Sequence, residues 1–169
     1  MATVDAHLTA SVMVDALEKS GVTHLVWLPD TESGHLYQTL ADHPRLTLVP
    51  VAREGETFAI ALGLRVGGKK PVVCIQSTGL FESGDSVRGL WLDLKMPVMA
   101  LIGYRGYKGG GPSDDSAATY LEPILQAWGI PFVVVQTDDE VRAAVPRMIE
   151  QAESGSGPTA VLIGKEYGA

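Results

Sequence analysis

Residues 46–79 read LTLVPVAREGETFAIALGLRVGGKKPVVCIQSTG, and this stretch decides the fold class. Leu46–Val51 is a short apolar run of strand length. Glu54–Val66 is rich in Ala and Leu, which favour helix, and Gly67 and Gly68 end it. Pro71–Gln76 is strongly β-branched and lacks polar alternation, as in strands covered on both faces. A strand, a helix and a second strand in this order predict a parallel crossover of right hand.

The same alternation continues in both directions. Upstream, a helix is expected from about Val4 to Ser20, stopped by Gly21, then a strand at His24–Leu28 and a helix over Gly34–Ala41. Downstream, Phe81–Leu94 reads as helix and Pro97–Ile102 as strand, followed by a polar, glycine-rich loop from Gly103 to about Ser116. Then come a helix at Thr119–Trp128, a strand at Phe132–Val135, a helix at Asp138–Ala152 that Pro146 is expected to kink, and a strand at Thr159–Ile163. The fold class is therefore α/β: a six-stranded parallel sheet with helices on both faces. Such sheets bind ligands at the carboxyl ends of their strands. Four segments fall there: Pro29–Ser33, Ala52–Glu56, Ser77–Gly79 and Gly103–Asp115.

Composition narrows the function. A chain of 169 residues predicts one domain, spanning 1–169, with 46% apolar residues to fill its core. A formal charge of −7 argues against nucleic acid or an anionic membrane as partner. No apolar run approaches the ~20 residues that span a bilayer, and no signal peptide is expected. Cys74 is the single cysteine, so a reducing cytoplasm is the expected setting.

Several chemistries find no support. There is no Gly-x-Gly-x-x-Gly after the first strand, no Walker loop and no Gly-x-Ser-x-Gly elbow. His7, His24, His35 and His43 lack metal-site spacing, and His7 and His43 read as surface residues. Cys74 lies inside an apolar strand and reads as a buried thiol.

Four features carry chemical potential. Glu54 opens a helix directly after a strand; it reads either as a carboxylate favoured by the helix dipole, with Glu56, or as a proton-handling acid. Gln76, Ser77, Thr78 and Gly79 form either an ordinary strand-to-helix turn or one that offers backbone groups to a flat polar ligand. Asp30 either caps the next helix or faces a ligand. The Gly103–Asp115 loop, with Arg105 and Lys108, is either a flexible surface loop or an anion clamp and lid.

In order, Trp-Leu-Pro-Asp, Arg-Glu-Gly-Glu, Pro-Val-Val-Cys-Ile-Gln-Ser-Thr-Gly-Leu, Ile-Gly-Tyr-Arg-Gly and Trp-Gly-Ile-Pro resemble the pyrimidine-binding domain of the sulfopyruvate and phosphonopyruvate decarboxylases. The likeness runs from about Val12 to Lys165 and leans towards the alpha subunit of the two-chain sulfopyruvate enzymes. It implies a thiamine-diphosphate-binding fold, and a lyase that takes a small, anionic 2-oxo acid to an aldehyde and CO2. It places Glu54 at the family's cofactor-activating glutamate, which bonds N1′ of the pyrimidine. Gln76, Ser77, Thr78 and Gly79 fall at the turn near that ring, and Asp30, Thr31 and Arg105 at substrate-facing positions. The resemblance assigns no metal ligand to this chain: Mg²⁺ and the diphosphate belong to a Gly-Asp-Gly motif, which is absent here, so a second subunit and a hetero-oligomer are implied. Two departures lie near the expected substrate. Ser77-Thr78 replaces Asn-Ser, and Gly111–Ser116 lacks the histidine that the family carries after Arg-Gly. A non-catalytic binding module on the same sheet is the alternative from another class.

Overall fold

The computed structural model describes residues 8–30, 34–111 and 113–168. Its strands are β1 (Leu8–Thr9), β2 (His24–Trp27), β3 (Thr47–Pro50), β4 (Pro71–Gln76), β5 (Met99–Gly103), β6 (Phe132–Val135), β7 (Thr159–Ile163) and β8 (Tyr167–Gly168). Its helices are α1 (Ala10–Lys19), α2 (Gly34–Leu40), α3 (Glu54–Val66), α4 (Ser77–Glu82), α5 (Gly84–Ser86), α6 (Ser116–Ala127) and α7 (Asp138–Gln151). A π-helical turn, Val87–Leu92, continues α5.

Six strands form one parallel sheet in the order β3-β2-β4-β5-β7-β6. Alternation along its central strands divides the core in two. Val72 and Cys74 of β4, with Leu101 of β5 and Val161 of β7, pack beneath α1, α2 and α7 with Met13, Leu17, Leu36 and Met148. Val73 and Ile75, with Ala100, Ile102 and Leu162, pack on the other face with Phe58 of α3, Leu80 of α4, Trp91 and Leu121 of α6. Trp91 is fully buried and satisfies its indole by donating to the Val98 carbonyl at 2.9 Å.

The sheet agrees with the sequence expectation, and four local features differ. The first helix, expected to include Leu8, starts only at Ala10, because Leu8–Thr9 pair as a strand with Tyr167–Gly168. No loop separates β4 from its helix: Ser77 is the first residue of α4, because the buried Leu80 must turn back onto the sheet at once. The helix expected from Phe81 therefore starts earlier and breaks at Ser83. Helix α6 starts three residues earlier than Thr119, since Asp115 caps it by accepting the Ala117 N–H at 2.9 Å. As expected, helix α7 contains Pro146; Pro146 and Arg142 both lie on the exposed side, where water can serve the carbonyl that the proline leaves unbonded.

His43 is a further correction, while His7 lies outside the described residues. The His43 side chain is only 15% exposed. Its Nδ1 accepts the Leu46 N–H at 3.1 Å, and Nε2 lies 3.5 Å from Glu18. It closes the turn into β3. Finally, β1 and β8 pair in parallel, Leu8 opposite Tyr167 and Thr9 opposite Gly168. Strands of two residues carry no periodicity by which sequence could reveal them.

Candidate active site at the carboxyl edge

Parallel register brings the carboxyl ends of β2, β3, β4, β5 and β7 to one edge. Trp27 pairs with Pro50 and with Cys74, Gln76 with Gly103, and Gly103 with Ile163. The segments holding Asp30, Glu54, Gln76–Gly79 and Arg105 all leave the sheet there. Thr31, the other substrate-facing expectation, lies outside the described residues.

Glu54 is the first residue of α3 and is half-buried. Its neighbours have separate tasks. The Glu56 carboxylate turns back to accept the N–H groups of Ala52 and Arg53, at 3.2 and 3.3 Å, and so closes the helix start. Glu82, at the end of α4, accepts the Gly55 N–H at 2.9 Å and the Arg53 guanidinium at 2.5 Å. The hydrogen bond from Arg53, reinforced by that from Gly55, holds the Glu82 carboxyl below its ordinary pKa. The Glu54 side chain makes no hydrogen bond to a described residue, and it lies against Gly79 of α4: a Cβ on Gly79 would fall 2.5 Å from Glu54 Cγ.

The residues of the expected turn are divided by their burial. Gln76 ends β4 half-buried, and its side-chain oxygen accepts a long, 3.4 Å bond from Thr78. Thr78 is exposed, whereas Ser77 is wholly buried and its hydroxyl has no hydrogen-bond partner among the described residues. A buried hydroxyl left without a partner costs about 1–3 kcal/mol, so its retention is notable.

A second part of the edge is a cavity of about 250 Å³. Asp30, Arg105, Tyr104, Tyr107, Lys165, Glu166 and Tyr167 supply its polar lining, and Cys74 and Leu101 are among its apolar lining. It joins two predicted residues, Asp30 and Arg105, but Glu54 and Gln76–Gly79 do not line it. Arg105 also borders a more open hollow with Thr78, Phe81 and Tyr120, and so connects the cavity to the α4 side. Burial pushes the Cys74 thiol far up and Asp30 adds to this, so the thiol stays protonated and inert. Burial and the bond to Glu122 likewise raise the Tyr104 phenol.

Sequence reading missed Tyr107, Lys165 and Tyr167. Their signal was position: Lys165 and Tyr167 follow the carboxyl end of β7, between β5 and β6 in the sheet. The loop after β5 also differs from a free surface loop. Arg105 pairs with Asp115 at 3.0 Å, Lys108 with Asp114 at 2.9 Å, and Ser113 donates to the Gly106 carbonyl at 2.7 Å.

An aminopyrimidine ring needs a carboxyl with uncommitted oxygens beside short polar groups. Glu54, Gln76 and Ser77 meet that need, so the residues present fit this end of thiamine diphosphate. Among the described residues no group of three or more His, Cys, Asp or Glu could hold a metal ion. No helix among them is long and apolar enough to cross a membrane.

Residues 8–122 match the family described as thiamine pyrophosphate enzyme, N-terminal TPP binding domain. The chain belongs to this family. This TPP-binding domain is similar to the sulfopyruvate decarboxylase alpha subunit of Methanocaldococcus jannaschii, 23% identical over 154 residues, covering 90% of this chain and 91% of that one. The alpha subunit of Methanococcus maripaludis is 25% identical over 153 residues, covering 90% and 92%. A sulfopyruvate decarboxylase of Methanosarcina acetivorans is 24% identical over 153 residues, or 89% of this chain and 38% of that protein. Among solved structures, the 2-oxoglutarate:ferredoxin oxidoreductase of Magnetococcus marinus superposes with a TM-score of 0.65 at 18% identity, over 92% of this chain and 28% of that chain. This last likeness concerns the fold.

Proposed function

We propose that this chain is the pyrimidine-binding alpha subunit of a thiamine-diphosphate-dependent decarboxylase, acting on a small anionic 2-oxo acid such as sulfopyruvate. The observation that carries this reading is Glu54: a half-buried carboxylate at the carboxyl edge, laid against Gly79, with no hydrogen bond to a described residue. The relatives named alpha subunit, matched over nine-tenths of their length, support the assignment to a two-chain enzyme.

When bound, thiamine diphosphate supplies the electron sink that a 2-oxo acid needs to lose CO2. Glu54 holds and returns a proton at the N1′ position of its pyrimidine. Gln76, Ser77, Thr78 and Gly79 line the ring's place, where the Ser77 hydroxyl gains the partner it lacks. Asp30 and Arg105 face the acid, and Thr31 keeps the substrate role that the resemblance implies for it. The cavity of about 250 Å³ beside them is below the usual ~300–1,000 Å³ of drug-sized sites, which suits an acid of few carbons. Mg²⁺ and the diphosphate are held by the second subunit. The whole described chain serves as one pyrimidine-binding domain, and the enzyme works in the cytoplasm.

Co-purification with the partner chain, followed by CO2 release from sulfopyruvate, phosphonopyruvate and pyruvate, tests this. Activity is expected only with both chains, Mg²⁺ and thiamine diphosphate. Failure of the two chains together to bind thiamine diphosphate would replace the reading by a non-catalytic binding module.

A further inference from the structure

Glycine inside a helix is a cost. It lacks a side chain to pack and loses more backbone freedom than alanine, so Gly→Ala in a helix interior ordinarily raises stability. Gly79 is the third residue of α4 and lies buried. Its φ lies outside the left-handed region, so no backbone strain asks for glycine there. The reason for glycine is steric and comes from another helix. A Cβ on residue 79 would sit 2.5 Å from Glu54 Cγ, 3.2 Å from Glu54 Oε1 and 3.3 Å from Glu54 Cβ. All three atoms belong to one side chain.

We infer that Gly79 is a positioning residue: its bare Cα is the slot that fixes the rotamer of the Glu54 carboxylate. This goes beyond a place for Gly79 near the pyrimidine, because the contact it serves is with the acid. The flanking bonds keep the slot in register. Glu82, three residues on, grips the Gly55 N–H and the Arg53 guanidinium on either side of Glu54. The Ser83 hydroxyl donates to the Gly79 carbonyl at 2.7 Å and holds the α4 backbone in place. The first turn of α3 and the body of α4 are thus fastened at both neighbours of the acid, and the acid itself, which bonds no described residue, is held by shape. A methyl at residue 79 can be accommodated only if the Glu54 side chain swings away from the seam.

The claim about Glu54 chemistry rests on the proposed function; the claim about the slot does not. Thermal unfolding of the full chain separates them, using Gly79→Ala, Glu54→Ala and the double variant. With Glu54 present, Gly79→Ala is expected to lower the Tm, by on the order of 5 °C for overpacking in a chain of this size. In the Glu54→Ala background the same change is expected to raise the Tm or leave it level, as in any helix. That reversal of sign is the signature of the slot. In the two-chain enzyme with thiamine diphosphate and sulfopyruvate, Gly79→Ala should lower kcat by ~10²-fold or more with KM changed far less, and should add nothing to Glu54→Ala. A Tm change of the same sign and size in both backgrounds overturns the inference, as does an unchanged Tm in Gly79→Ala. Wild-type kcat in Glu54→Ala would instead remove the catalytic reading of Glu54, and the Tm comparison would still decide the slot.

Discussion

At the start of α3 three carboxylates gather around one arginine, and in the loop after β5 two carboxylates face two cations. In the second region the charges pair with one another: Asp115 holds Arg105 and caps α6, and Asp114 holds Lys108. The first region commits all but one. Glu56 closes the helix start and Glu82 ties α3 to α4, while Glu54 is placed by contact and keeps its oxygens unbonded to described residues. A reactive acid need not be recognised by an unusual neighbour. Here the acid proposed to be reactive is marked by what its neighbours do on its behalf.

The largest effect that can break this contrast is at Glu54. Glu54→Gln should reduce decarboxylation by the two-chain enzyme ~10²–10⁴-fold. Glu56→Ala should keep turnover within a few fold and lower stability by about 1 kcal/mol, as lost helix-start contacts do. Equal kinetic loss in both variants would show that the two glutamates do not divide the work. Next is Asp115, which serves two purposes. Asp115→Ala should cost about 1 kcal/mol through the lost cap, read by denaturant unfolding. Asp115→Asn keeps a capping oxygen but frees Arg105, and should lower KM for an anionic acid; a higher KM would mean that Arg105 acts only while held.

Glu82 sharpens the contrast through pH. Its carboxyl is held below the ordinary 4.5 by Arg53 and Gly55. The unfolded chain therefore binds a proton before the folded one does, and the stabilisation, full above the ordinary value, is lost as pH falls through the lower folded value. The stability difference between wild type and Glu82→Gln should be constant near neutrality and shrink below about pH 4.5. A difference that stays flat under acid would detach Glu82 from the seam. The smallest effect is at Ser77. Removing its unpartnered hydroxyl in Ser77→Ala should leave the Tm unchanged or slightly higher. The same variant should weaken thiamine diphosphate binding to the two-chain enzyme, measured by calorimetry.

The sheet was legible in the sequence because its strands are covered on both faces. Their apolar, β-branched runs at Pro71–Gln76, Phe132–Val135 and Thr159–Ile163 carry the same bounds in the structure. Helix α3 was legible too, with Glu54 at its head. What escaped is tertiary. That Gly79 lies under Glu54 depends on how α3 packs on α4, and no local pattern of residues encodes that crossing. Arg105 looked free because its partner, Asp115, stands at the far end of the same loop. His43 looked solvated because its acceptors and donors come from the turn into β3 and from α1. Tyr107, Lys165 and Tyr167 meet only once β7 lies beside β5, because all three follow the carboxyl ends of those strands.

The pairing of β1 with β8 has a topological consequence. Leu8 and Tyr167 are neighbours, so the described chain returns to where it began and forms nearly a closed circle. A short bridge from Gly168 to Leu8 and a new opening at Gly109–Gly110, in the loop after β5, would give a circular permutant with every strand of the central sheet intact. A polypeptide joined at Leu8 and one joined at Gly168 would therefore depart from the same corner of the described molecule.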